Sequence, residues 1–369
     1  MILFCDTASQ WKIIKDKCLE KIDEFLSSNC EIILGEFVDK FENNFSNWNG
    51  NRYGVGVSSG TDAIKISLKA LGLSNRDSVV IQANTWMSTL VATLEVTNKF
   101  QIIDCDDNHQ MNLSLLEESL FNNNHSVVIV AHMYGHCCDM QKLMELKSKY
   151  KFKLIEDCSQ ACGTLCYNQS KTGTFGDVSI FSLHPRKILG ACGDAGVILT
   201  DNPIINQKCR YARNLGSDSR SKKKHITLGW NNRLDTIQSI ILNEKIRFID
   251  EWNVKKSEIA KKYSNNIKNK SIKTPETAEF CLFNSNYVYP LIVDERDHFV
   301  SHMKKLDIQT RIQYPVSIEN LECFNFLNIP KNSHKTNFIF NHICSIPLHP
   351  FLEEGEVDHI INSINEFKV

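Results

Sequence analysis

The chain has 369 residues, 42% of them hydrophobic, and its 42 Lys and Arg against 43 Asp and Glu leave a formal net charge of −1. That apolar share supports a folded core and excludes a disordered chain, and the balanced charge excludes the basic footprint of a nucleic-acid binder. The length fits two domains, and no apolar run reaches the span of a bilayer.

In chain order, the N-terminus "MILFCDTASQWKIIKDK" has an apolar run too short for an export signal, so a cytoplasmic protein is expected. "YGVGVSSG" (53–60) reads as a strand ending in a turn. "TDAIKISLKALGL" (61–73) follows with Ala63, Ile64, Ser67, Leu68 and Leu71 at helical spacing and Gly72 at its stop. Strands are expected at 77–84, 100–106, 125–135, 152–159, 177–184 and 195–201, and helices at 85–98 and 139–151. This alternation predicts an α/β domain with a mostly parallel sheet. A long helix is expected over 243–269, then strand-like "NYVYPLIVD" (286–294), a helix near 296–306, strand-like "IQTRIQYP" (308–315) and a closing helix over 356–367. The expected division is a large domain over 1–245 and a smaller α+β domain over 246–369.

Two features are read as structural. The basic run "SRSKKKH" (219–225) is a solvated loop. The 14 cysteines include adjacent Cys137 and Cys138, and Cys158, Cys162 and Cys166 at a spacing of four that could align them on one helix face, though Gly163 interrupts the stretch. With no export signal and no His-rich partner segment, they read as buried free thiols and no metal site is expected.

Ligands of open α/β sheets bind at the carboxyl ends of the strands. The residues there are Ser59-Gly60-Thr61, Asn84-Thr85-Trp86, His132, Asp157 and the stretch Ser182 to Lys187. Ser, Gly and Thr at a helix start make an anion site, or Thr61 caps the helix. Asp157 at a strand end serves a protonated ring nitrogen, or caps the turn that follows. Lys187, in "IFSLHPRKILGACGDAG", is a solvated charge, a phosphate clamp or an amine held for covalent chemistry. A phosphate cradle, a strand-end acid, an aromatic platform at Trp86 and a lysine in this order fit pyridoxal phosphate.

The segments "VSSGTDAIKISLKALGL", "LIEDCSQACGT", "TGTFGDVSIFSLHPRKILGACGDAGVILT" and "LGWNNRLDTIQSIIL" resemble the nucleotide-sugar aminotransferases of the DegT/DnrJ/EryC1/StrS family. The resemblance covers nearly the whole chain. It implies a large domain of the aspartate-aminotransferase type (PLP fold type I). It implies Lys187 as the lysine that joins pyridoxal phosphate covalently and Asp157 as partner of the ring nitrogen. Gln160 falls on the ring-hydroxyl side, and Trp86 is the stacking ring. Gly60, Thr61 and Ser182 are implied as phosphate ligands, and Asn231 as a phosphate ligand reaching in from the second subunit of a homodimer. Tyr314 lies near the sugar. L-Glutamate is the implied donor. "ANTW" (83–86) and "GDAG" (193–196) resemble the branch that aminates 3-keto-6-deoxyhexoses, with the 4-keto branch as the alternative. A sugar dehydratase using pyridoxamine phosphate and a non-catalytic regulator on the same fold are remoter alternatives. Arg186 stands where the family has Gly, and Gln313 where it has His.

Overall fold

The computed structural model of the protein describes residues 1–28, 31–217 and 224–368. The expected strands form as β1 (Tyr53–Val57), β2 (Val79–Gln82), β3 (Phe100–Ile103), β4 (Val127–Ala131) and β5 (Lys153–Asp157). After a two-residue β6 (Leu165–Cys166) come β7 (Val178–Ser182) and β8 (Gly196–Thr200). All but β6 join one seven-stranded sheet in the order β1-β8-β7-β5-β4-β2-β3. Pairing is parallel from β7 through β3, and β8 runs antiparallel to both its neighbours.

The strands are apolar runs because both faces of the sheet are covered. Val79, Ile81, Val127 and Ile129 pack against the helices Gly60–Ala70 and Ser88–Leu94. Their alternates Val80, Val128 and Val130 pack on the opposite face against Leu113–Asn122 and Met140–Tyr150. Beyond the sheet, β9 (Ile272–Lys273), β11 (Tyr289–Val293) and β12 (Ile343–Ile346) form a three-stranded sheet, while β10 (Cys281–Phe283) pairs with β6. The small sheet shares a second core with Tyr263, Phe299, Met303 and Ile360.

Several expectations are corrected. The helix expected over 243–269 is two helices, Thr236–Lys245 and Ile249–Asn266, joined by a 3-10 turn at Ile246–Phe248. Ile246 and Ile249 belong to a core on the large sheet, while Ala260 and Tyr263 belong to that of the small sheet, so the turn re-aims one amphipathic path between two cores. The segment 308–315 is not a strand. Only Ile308 and Arg311 make single bridges, to Ile2 and Ser345, and Pro315 can donate nothing to a ladder. Cys158, Cys162 and Cys166 share no helix: Cys158 follows β5, Cys162 lies in a turn and Cys166 is in β6. All three are buried free thiols, as are Cys137 and Cys138. Helix Thr7–Ser27 had no strong signal because its buried residues are only Gln10, Ile14, Cys18 and Phe25, a thin and partly polar stripe. The basic run 219–225 falls largely outside the described residues; its last two members, Lys224 and His225, are exposed. Among the described residues no helix is long and apolar enough to cross a membrane.

Candidate active site

The strand order brings the carboxyl ends of β1, β2, β4, β5 and β7 to one edge. Because β8 runs the other way, its first residue, Gly196, lies opposite both Val57 and Ser182. A Cβ on Gly196 would stand 2.5 Å from the Ser59 carbonyl oxygen, so only glycine lets the strand and the turn after β1 meet. That turn starts helix Gly60–Ala70, and the capping residue is Ser59 rather than Thr61: Ser59 Oγ accepts from the Asp62 amide at 3.1 Å. The amides of Gly60 and Thr61 are then the helix's unclaimed N-terminal donors. A Cβ on Gly60 would lie 2.7 Å from Ser182 Cβ, so the helix start and the Ser182 hydroxyl close on a space kept open by a missing side chain. Two orphan amides and a hydroxyl at a helix N-terminus form an anion cradle.

Two adjacent carboxylates end β5 and point to opposite faces. Glu156 is fully buried. Its oxygens accept from the amides of Gly173 at 2.8 Å, Phe175 at 2.8 Å and Gly176 at 2.6 Å, and from His132 Nε2 at 3.1 Å. The Cys138 amide donates to His132 Nδ1 at 3.2 Å, so the ring proton sits on Nε2 and points at Glu156. The "GTFGD" segment is thus a backbone nest for a buried charge, and Gly173 holds a positive φ of 89° to build it. His132, Glu156 and Cys158 bring their ligand atoms within 4.8 Å of one another, but the Glu156 oxygens and both His132 nitrogens are committed to these hydrogen bonds. Glu156→Gln places an NH₂ against backbone donors. It is expected to cost about 3 kcal/mol of stability, read as a lower urea midpoint; an unchanged midpoint would contradict this account.

Asp157, on the other face, accepts from the Ser159 amide at 3.0 Å, with no other donor to its carboxylate among the described residues, and lines the cavity. Gln160 is held by the Tyr134 amide, which donates to its Oε1 at 3.0 Å, and its Nε2 donates to Tyr314 Oη at 2.9 Å. The Tyr314 ring lies against Trp86 at 4.8 Å between centroids, and Trp86 stays 49% exposed, leaving ring surface open to a ligand. Lys187 follows β7 on the loop to β8, with its Nζ 4.8 Å from the Tyr287 ring centroid and no carboxylate in reach among the described residues. Burial, and then the charges of Lys187 and Arg186, lower the pKa of neighbouring His184, with Asp194 opposing them.

Gly60, Thr61, Trp86, Asp157, Gln160, Ser182, Lys187 and Tyr314 all line one cavity of about 350 Å³. Asn231 does not: it is exposed and outside this cavity, while adjacent Asn232 donates to Ser58 Oγ at 3.2 Å. The cavity also holds Ser159, Tyr287 and Arg311, which sequence reasoning missed. Ser159 was within reach of it, two residues past Asp157, and its Oγ accepts from the Ser182 amide at 2.9 Å. Tyr287 and Arg311 lie 100 and 124 positions downstream of Lys187, and no local spacing ties them to the lysine loop.

Comparison with known proteins gives the chain's relatives. The dTDP-3-amino-3,6-dideoxy-alpha-D-galactopyranose transaminase of Aneurinibacillus thermoaerophilus is 30% identical over 339 residues, 91% of each chain. The erythromycin biosynthesis sensory transduction protein EryC1 of Saccharopolyspora erythraea is 29% identical over 329 residues, 88% of each chain. The crystal structure of DesV from S. venezuelae superposes with a TM-score of 0.93 at 27% identity, covering 99% of this chain and 98% of that one. The profile of the DegT/DnrJ/EryC1/StrS aminotransferase family matches residues 12–365, and the chain belongs to that family.

Proposed function

We propose that the protein moves an amino group from L-glutamate to the ketone of a nucleotide-linked 3-keto-6-deoxyhexose, using pyridoxal phosphate, in amino-sugar biosynthesis for a glycan. The observation that carries this reading is the joining of the Gly60–Ser182 cradle, the Asp157 carboxylate and Lys187 in one cavity. The donor set suits the cofactor: an anion cradle for its phosphate, a carboxylate for its ring nitrogen and an amine for its aldehyde. When bound, pyridoxal phosphate supplies an electron sink that makes amino transfer possible.

In this reading the chain's own groups do the following. The amides of Gly60 and Thr61 and the Ser182 hydroxyl hold the phosphate, and Asn231 of a second copy reaches it across a homodimer interface. Asp157 keeps a proton on the ring nitrogen, the state in which the ring withdraws electrons most strongly. Trp86 would stack on the cofactor ring, and Gln160, its orientation set by Tyr134 and Tyr314, would hold the ring-hydroxyl side. Lys187 Nζ takes and returns the proton at the donor's α-carbon and at the sugar carbon that receives the amine. Tyr314, partly buried beside Trp86, borders the sugar.

The choice of the 3-keto position is supported by "ANTW" and "GDAG" and by the 3-amino product in the name of the Aneurinibacillus relative. Incubation of the holoenzyme with L-glutamate and either a 3-keto or a 4-keto nucleotide-linked 6-deoxyhexose, followed by NMR of the product, tests it. Amination of the 3-keto sugar alone is expected. Amination of the 4-keto sugar alone overturns the position, and amination of neither overturns the substrate class.

A further inference from the structure

Two arginines of the cavity have no role in the reading above. Arg186 and Arg311, with Gln313, line the main cavity, a smaller recess beside it and an outer cavity over Trp86. Among the described residues neither guanidinium has a carboxylate in reach. Arg311 lies instead with its guanidinium carbon 5.1 Å from the centroid of the Phe4 ring. Burial, and then the charge of Arg186, pull the Arg311 pKa down, so the two cations repel each other in a partly desolvated place. Local carboxylates do not relieve this. Arg186, Lys187, Lys256 and Arg311 are among the residues lining the recess, and no Asp or Glu stands on its wall. Lys256 is buried and donates to the carbonyls of Ser285 at 2.8 Å and Asn286 at 3.2 Å. Its pKa is lowered to about 7 by burial.

A cationic wall without counter-charge, opening beside a reactive lysine, is a site that lacks its anion. Arg186 and Arg311 also line the roomier main and outer cavities, of about 350 and 420 Å³, and within the recess size decides which anion. The recess measures about 50 Å³. On this measure one water needs roughly 10–15 Å³, so the space takes a carboxylate and little more, and a nucleoside diphosphate does not fit. A planar carboxylate also matches the guanidinium fork. Lys187 and Tyr287 line both the main cavity and the recess. A ligand with its amine at Lys187 therefore lies beside the recess that both arginines line.

We propose that Arg186 and Arg311, backed by Lys256, bind the side-chain carboxylate of a dicarboxylate amino donor and so select it over neutral amino acids. The proposal rests on the aminotransferase reading above and deepens it.

Calorimetric titration of the holoenzyme with glutarate and with valerate tests it without turnover, since neither ligand has an amine to transfer. Glutarate is expected to bind at least about tenfold more tightly than valerate, a typical worth for one charge-assisted contact. In Arg186→Gln and Arg311→Gln that preference is expected to fall to about twofold or less. Arg186 is exposed, so its variant keeps the test open if Arg311→Gln fails to fold. A preference that survives in Arg186→Gln, or that is absent from the unmodified protein, overturns the proposal. So does a loss of dTDP affinity in the variants with the glutarate preference intact, which would assign the arginines to the nucleotide. A holoenzyme that binds glutarate as expected yet accepts an amino group from no donor would overturn the aminotransferase reading and leave the carboxylate clamp standing.

Discussion

Lys187→Ala is expected to lower amino transfer by about 10⁴-fold, the upper range for removing a positioned proton carrier, and to abolish the visible absorbance of cofactor joined to lysine. The argument rests on the lysine's setting. It sits on the loop between β7 and β8, and its backbone amide donates to the His184 carbonyl at 2.8 Å, which fixes where the side chain departs. Its amine lies over the Tyr287 ring rather than in an ion pair, so no carboxylate competes for it. A purely structural lysine would leave a folded protein whose activity does not respond to added amines. Partial rescue of the variant by millimolar methylamine is therefore expected, because a small amine can occupy the vacated space and carry the proton. Turnover within tenfold of the unmodified protein would remove Lys187 from the chemistry.

The second large effect is expected at Asp157. Asp157→Asn keeps the shape and the Oδ1 that accepts from the Ser159 amide, so the fold should persist. What it removes is the charge facing the cavity. The expected loss is about 10³-fold in kcat, on the scale of deleting one preorganised electrostatic stabiliser from a closed site, with KM for the sugar changed by less than about threefold. A fall in KM-limited binding with kcat preserved would make Asp157 a binding residue only. The contrast with Glu156→Gln separates the two neighbours: one variant should lose activity while staying folded, the other should lose stability.

Much of the site was legible before the fold was known, because strand ends and the turns that follow them are local. "SSGTDA", "LIEDCSQ" and the Lys187 stretch each sit directly after a strand, and parallel strands deliver their ends to one edge. Packing decided what local pattern left open. Thr61 and Ser59 are both competent caps, and the choice of Ser59 follows from where the helix begins, which Gly196 packing against Ser59 helps set. Likewise, "IQTRIQYP" has the composition of a strand, yet its Gln313 and Tyr314 side chains are drawn to the cavity. Tyr314 meets Gln160 across 154 positions of sequence.

The chain order of periodic segments, turn residues and strand-end polar groups determined the α/β architecture and nominated Lys187, Asp157 and the Gly60–Thr61 turn, since each depends on neighbours within a few residues. Tertiary structure alone decided that Glu156 is a satisfied structural charge while Asp157 faces the cavity. It also brought Tyr287, Arg311 and Tyr314 to the lysine and placed Arg186 beside Arg311 with no acid between them. The reason is physical: whether a polar group is costly, neutral or poised depends on which donors and charges surround it. For buried groups those partners come from remote segments, through packing that no local period records.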